Sequence, residues 1–320
     1  MRLREAFQAR KRIASYLRRT PLVESTWLSR IAGGPVALKL ESLQVTSSFK
    51  SRGAFNALIA RRERQPDRDL RLVTASAGNH GRALAAAAET FSVPLTVFTP
   101  AGAPRTKIEA IQRHGAVLKS APTYEESERQ AKAFAATSGA DFISAYSDAD
   151  VIAGAATIAL ELFEDAPDLD TIVVPVGGGG LIGGVGAAAK AINPACQIVG
   201  VEVDASCPFH TSLRAGRLVE IVVGPTLADG LAGNPDPETI TFDLIRRFVD
   251  RIVTVNETEL ANAVVGLVES AHLIAEGAGA VGVAALLAGH VRSGGGRIAT
   301  IVSGSNIDRL RLREILDIRA

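Results

Sequence analysis

The chain has 320 residues, 47% of them hydrophobic, 22% charged and 5% aromatic, which excludes disorder, collagen-like repeats and a disulfide scaffold. Lys and Arg number 35 against 34 Asp and Glu, a formal charge of +1, so no field of either sign exists to gather nucleic acid or an anionic membrane. The two cysteines, Cys196 and Cys207, and five scattered histidines provide neither a disulfide framework nor metal-ligand spacing.

The chain opens on MRLREAFQARKRIASYL, charged and amphipathic, without the continuous apolar core of a secretory signal. No apolar run approaches the ~20 residues that span a bilayer. The reduced cytoplasm is the expected compartment, with both cysteines as inert buried thiols. Strands are predicted at 36–41, 72–76, 95–99, 116–119, 141–144, 171–176, 198–203, 251–255 and 298–302. Several are apolar without interruption (IVVPV, IVGVEV, IATIV), as strands covered on both faces should be. Ala-rich helices are predicted between them, including 81–89, 124–137, 183–191 and 278–287, and PDPET at 235–239 reads as a surface turn. Strand–helix alternation over this length predicts an α/β fold with parallel sheet. The length favours about two domains. Residues 63–149, with their own β-α-β-α-β series, read as a small domain inserted into a large one formed by 1–62 and 150–320.

Three strand ends run into glycine-containing turns that lead toward helices, at 74–80, 176–184 and 302–306. In open α/β sheets ligands sit outside the carboxyl ends of strands, where such turns converge. Gly177, Gly178, Gly179 and Gly180 leave backbone N–H groups unobstructed at the start of a helix, a pattern that binds phosphate or, alternatively, only allows close helix–sheet packing. It is neither a nicotinamide fingerprint nor a P-loop, because no acidic residue follows at the right distance and no Gly-Lys-Ser/Thr follows. Seven lysines stand against 28 arginines. Arginine can replace lysine as a solubilising charge but cannot form a Schiff base, so each lysine can be weighed as a candidate amine. Lys11, Lys132 and Lys190 sit in polar helical patterns and Lys39 inside a strand. Lys50 follows Ser47, Ser48 and Phe49; a serine cap there would place it in the first turn of a helix, where the dipole depresses its pKa. An ordinary surface lysine near a cap is the alternative.

Taken together, RRTPL (18–22), KLESLQVTSSFKSRGAFNAL (39–58), ASAGNHGRALA (75–85), GGGGLIGG (177–184), LADGLAGN (227–234), AEGAGAVGVAALL (275–287) and SGSNID (303–308) resemble the fold-type II pyridoxal-phosphate enzymes, within them the threonine/serine dehydratase and serine racemase group. The resemblance covers nearly the whole chain. It implies two open, twisted, mostly parallel sheets with flanking helices, a pyridoxal 5'-phosphate cofactor and a homodimer. It implies that Lys50 is the Schiff-base lysine and the general base at Cα, that Phe49 packs on the cofactor ring, and that Asn79 meets its phenolic oxygen. Gly177 to Gly180 with the Leu181 backbone would cradle its phosphate, Ser303 would meet its pyridine nitrogen, and Glu276 would lie nearby. Ser76, Ala77, Gly78, Asn79 and His80 would hold the substrate carboxylate, His80 either touching substrate or only capping the helix. The implied reaction is loss of water from an L-β-hydroxy amino acid of the threonine or serine type, giving a 2-oxo acid and ammonia.

Four positions depart from the group. Racemases carry a serine where this chain has Ala77, so racemisation is expected to be weak or absent. Relatives that bind a divalent cation pair a glutamate with an aspartate six residues on; Glu202 is followed there by Pro208, which leaves a site with Asp204 open but favours a solvated or structural Glu202 and no metal. LADGLAGN lacks the usual lysine-containing continuation, and Ser305 replaces a glycine. The DGLAGN ending resembles the hydroxyectoine-utilisation dehydratases, so a less common β-hydroxy amino acid, 3-hydroxyaspartate type included, and a racemase on the same fold stay open. The chain stops twelve residues after Asp308, so the regulatory domain of biosynthetic threonine deaminases, and inhibition by isoleucine, are not expected.

Overall fold

A computed structural model describes residues 1–317. In chain order its strands are β1 (Leu22–Glu24), β2 (Val36–Lys39), β3 (Leu72–Ala75), β4 (Leu95–Pro100), β5 (Val117–Ala121), β6 (Asp141–Phe142), β7 (Leu169–Pro175), β8 (Gln197–Val203), β9 (Arg251–Val255) and β10 (Arg297–Ile301). The helices are α1 (Leu3–Ile13), α2 (Thr26–Ala32), α3 (Lys50–Arg64), α4 (Asn79–Thr90), α5 (Arg105–Gln112), α6 (Tyr124–Ser138), α7 (Ala149–Asp165), α8 (Gly180–Ile192), α9 (Pro208–Ala215), α10 (Thr241–Phe248), α11 (Glu257–Ala271), α12 (Gly277–Leu287) and α13 (Arg309–Asp317). They frame two sheets, a six-stranded one ordered β1-β2-β10-β7-β8-β9 and a four-stranded one ordered β5-β4-β3-β6. Every pairing is parallel except β1 with β2. All nine predicted strands are present. The missed strand, β1, is a three-residue antiparallel edge, too short to carry a period.

The apolar runs are explained by two-sided burial. In the large sheet Val173, Val199, Val201 and Ile298 pack into one cluster, while Ile172, Val174, Ile198 and Ala299 pack into another on the opposite face. The four-stranded sheet repeats this, with Leu72 and Val97 on one side and Val73 and Phe98 on the other.

Two features fix the start of α3. The first is close helix packing against α7. A Cβ on Gly53 would lie 2.8 Å from the Val151 carbonyl oxygen, and one on Gly154 would lie 2.3 Å from that of Arg52. Only glycine lets these backbones meet. The second is a buried charge cluster directly behind the helix start. Arg52 donates to Glu41 from Nε and Nη2, each at 2.8 Å, and to Glu161 from Nη1 at 2.6 Å and from Nη2 at 2.8 Å. Lys39 donates to the same Glu161 at 2.6 Å and to the Thr20 carbonyl at 2.7 Å. All four charged residues are buried, and two cations balance two carboxylates.

Candidate active site

Lys50 is the first residue of α3, and no serine caps it. The N-cap is Phe49, in helical conformation and without a side-chain hydrogen bond. Ser48 is instead extended, bridged antiparallel to Gly304, and its buried hydroxyl has no partner. Thr46 and Ser47 both take positive φ, 62° and 59°, to turn the chain into this bridge. The predicted cap fails because segment 46–49 is tied to the turn after β10: Phe49 N–H donates to the Ser303 carbonyl at 3.0 Å, and Ser305 N–H to that of Ser47 at 3.0 Å. That tie brings Ser303 beside the lysine-bearing turn. Ser303 is buried, and its hydroxyl makes one long bond, 3.4 Å, to the Ala278 carbonyl.

The Lys50 ammonium lies over the Phe49 ring, 5.1 Å from its centroid, and donates to the Ala145 carbonyl at 2.8 Å. Among the described residues it forms no ion pair. Burial pushes its pKa down to about 8, against the opposing pull of the Glu276 carboxylate. The dominant cause is therefore desolvation. Glu276, the N-cap of α12, is itself buried and pushed up to about 7, again by burial, with the Asn79 hydrogen bond opposing. Asn79 Nδ2 donates to Glu276 at 2.6 Å, and Asn79 Oδ1 accepts from Asn306 Nδ2 at 2.7 Å. Asn306 also donates to the Thr46 carbonyl at 2.8 Å and accepts from Arg82. Both ends of the Asn79 amide are thus fixed by side chains from the turn after β10 and the start of α12.

The glycine turn after β7 forms the N-terminus of α8. Gly179 takes φ +85°, and Thr241 donates to the Gly178 carbonyl at 2.8 Å. Among the described residues the N–H groups of Gly177, Gly178, Gly179, Gly180 and Leu181 donate to no protein acceptor. Five free donors at a helix N-terminus are the donor set a phosphate needs, so the turn fits the phosphate of pyridoxal phosphate.

A cleft of about 660 Å³ is lined by Ala77, Gly78, Asn79 and Arg82 at the start of α4, by Thr106 and Lys107 from α5, by Leu227, Asp229 and Glu276, and by 306–309. Lys107 pairs across it with Asp229, and Lys132 of α6 pairs with Asp236. The sequence candidates Ala77, Gly78 and Asn79 therefore open on the cleft. Ser76 and His80 are buried. Ser76 Oγ accepts from Gly78 N–H at 3.2 Å, bracing the loop. His80 Nε2 lies 3.3 Å from the Ile143 carbonyl, and burial, then the nearby Lys50 charge, hold the imidazole neutral with a pKa pushed down to about 3. Its ring is therefore no proton donor near neutral pH.

Sequence reasoning passed over Tyr146, Asn306 and Arg82. Tyr146 lies against the glycine turn so closely that a Cβ on Gly178 would fall 2.2 Å from its ring. Its hydroxyl accepts from Asp236 N–H at 3.0 Å, and the preceding Ala145 supplies the acceptor for Lys50. No local pattern marks Tyr146; Asn306 and Arg82 stood inside quoted motifs, where a polar side chain beside a glycine turn was the available sign.

Glu202 anchors the start of α9. It is fully buried, accepts N–H groups of Phe209 at 3.0 Å and His210 at 2.7 Å at the start of α9, and burial pushes it up to about 8. A solvated Glu202 is excluded, and Asp204 is exposed. Cys196 is buried, its thiol pushed up to about 11, whereas Cys207 is only half-buried, a correction to the expectation for both. Among the described residues no helix is long and apolar enough to cross a membrane.

The model of the family described as "Pyridoxal-phosphate dependent enzyme" matches residues 13–304. The chain is 42% identical to the L-threonine ammonia-lyase of Thermotoga maritima, over 96% of this chain and 76% of that protein. Maize serine racemase superposes with a TM-score of 0.90 at 32% identity, covering 99% of this chain and 97% of that one. The processed form of threonine deaminase isoform 2 from Solanum lycopersicum superposes with a TM-score of 0.88 at 29% identity, covering 98% of this chain and 93% of that one.

Proposed function

The chain belongs to the pyridoxal-phosphate dependent enzymes, and from that membership we propose that it is an ammonia-lyase that removes water from L-threonine, L-serine or a related L-β-hydroxy amino acid. The observation that carries this reading is a half-buried lysine without a carboxylate partner among the described residues, near Glu276, which with Asn79 lines a cleft, and accompanied by a glycine turn with five free N–H groups. Pyridoxal phosphate supplies the electron sink that acidifies the α-proton of a bound amino acid. The glycine turn, Gly177 to Leu181, would hold its phosphate, Asn79 its phenolic oxygen, Ser303 its ring nitrogen and Phe49 one face of its ring. A serine hydroxyl, unlike a carboxylate, leaves a ring nitrogen uncharged.

Lys50 then serves as the base at Cα. Its lowered pKa keeps a useful fraction of the amine neutral near pH 7–8. The Ala145 carbonyl orients Nζ, and the Phe49 ring restricts its swing. The 76–80 loop binds the substrate carboxylate through backbone donors at the start of α4. Ala77 offers a methyl group to the cleft, so no proton carrier stands there to return a proton to Cα from a second face. That favours elimination over racemisation. We extend the same proposal to the division into 1–62 with 150–320 and 63–149, to a homodimer and to the cytoplasm.

The test is product analysis with purified protein, pyridoxal phosphate and L-threonine or L-serine. Equal amounts of ammonia and 2-oxo acid are expected, with D-amino acid accumulating at less than about one-tenth of the elimination rate, a factor of ~1.4 kcal/mol in barrier. Racemisation at a rate comparable with elimination contradicts the assignment.

A further inference from the structure

The start of α10 leans on the glycine turn. Thr241, fully buried as the first residue of that helix, donates its hydroxyl proton to the Gly178 carbonyl at 2.8 Å. Among the described residues no other group donates to that carbonyl. A hydroxyl carries one proton, so the 2.8 Å contact between the Thr239 and Thr241 hydroxyls is donated by Thr239. Thr239 is buried too, and its hydroxyl accepts the Thr241 N–H at 3.3 Å. The two threonines therefore form a relay that ends on one carbonyl of the turn. The approach is close: a Cβ on Gly179 would lie 2.9 Å from both Cβ and Oγ1 of Thr241.

A peptide unit is planar and trans, so its carbonyl and N–H point in opposite directions. Holding the Gly178 carbonyl on Thr241 turns the Gly179 N–H the other way, and that N–H is one of the five that meet no protein acceptor among the described residues. Neither Gly178 nor Gly179 has a Cβ to resist rotation of the peptide between them, and Gly179 sits at φ +85° and ψ −7°. A rotation of that peptide would aim the carbonyl, with its partial negative charge, where the N–H belongs. Resting on the placement of the cofactor phosphate on this turn, we propose that Thr241 is a positioning residue for that phosphate: it locks the Gly178–Gly179 peptide so that one donor of the cradle is aligned before the cofactor arrives. The Thr241 proton is spent on Gly178 and the side chain is enclosed, so the peptide carries the effect. Donors aligned in advance cost little to order when the anion binds.

The experiment titrates apoprotein with pyridoxal phosphate and with pyridoxal, which has a hydroxyl in place of the phosphate, and reads the visible band of lysine-bound cofactor. It uses the wild-type sequence, Thr241→Val and Thr241→Ser. Valine nearly keeps the shape and removes the donor. Thr241→Val should raise the Kd for pyridoxal phosphate about tenfold, the order expected for one buried hydrogen bond, while the Kd for pyridoxal stays within about twofold. Thr241→Ser keeps the hydroxyl and should stay within about threefold of wild type for both compounds. The unchanged pyridoxal titration would show that the Lys50 site is intact in the valine variant. An equal loss for both compounds, no loss for either, or a serine variant as weak as the valine one overturns the inference and leaves the phosphate placement standing. Wild-type protein that binds both compounds equally overturns the placement and the inference together.

Discussion

Replacing Lys50 by alanine is expected to lower turnover of β-hydroxy amino acids by ~10³-fold or more, since it removes both the attachment amine and the proton carrier at Cα. The variant should fold, because the Lys50 side chain makes one hydrogen bond, to Ala145, and no ion pair among the described residues. It should also lose the visible absorbance of lysine-bound cofactor while retaining pyridoxal phosphate weakly through the glycine turn. The wild-type residue carries a pH signature. Burial lowers the amine from 10.5 to about 8, and the neutral form attacks the cofactor aldehyde. Capture of pyridoxal phosphate by the apoenzyme should therefore accelerate as pH rises through about 8 and level off above it. Glu276 opposes the shift, so Glu276→Gln should move the midpoint to lower pH. A midpoint near 10, or substantial turnover by Lys50→Ala, contradicts the role assigned to this residue.

The largest stability loss is expected from Arg52→Met. That change leaves Glu41 and Glu161 buried with only Lys39 to balance them, and strips four hydrogen bonds from the two carboxylates. Breaking a buried ion pair from one side costs about 3–5 kcal/mol, because the stranded charge cannot be resolvated. Denaturant unfolding of the apoprotein should register a loss in that range, and a loss below about 1 kcal/mol would mean that the cluster is hydrated. Since Arg52 lies two residues beyond Lys50, the same cluster holds the lysine-bearing turn in place. A milder variant, Lys39→Met, still leaves Arg52 bound to both carboxylates and should lose less.

Much of this was legible in the chain itself. Strands buried on both faces wrote themselves as uninterrupted apolar runs, so β7, β8 and β10 could be placed within two residues. The glycine turn at 177–180 could be placed too, because backbone approach there tolerates few other side chains. What was hidden depended on long-range partners. Lys39 looked like a strand residue with nothing to recommend it, and its role appears only when Glu161 arrives on α7. Ser48 had the chemistry of a helix cap, but pairing with Gly304 claimed its backbone first. Glu202 could be matched to a cation-binding position, yet its environment is set by the N-terminus of α9, where two N–H groups donate to its carboxylate. Tyr146 lies in a bend without periodicity, and only its packing on Gly178 reveals it.

The most direct test of the central claim is the visible absorbance spectrum of the purified protein with pyridoxal phosphate, recorded as L-threonine and then other β-hydroxy amino acids are added. The structure predicts a band that forms with the cofactor, is absent in Lys50→Ala, and changes on addition of at least one of these substrates as ammonia and a 2-oxo acid appear together. No band after added cofactor, or a band that none of them alters, would contradict it.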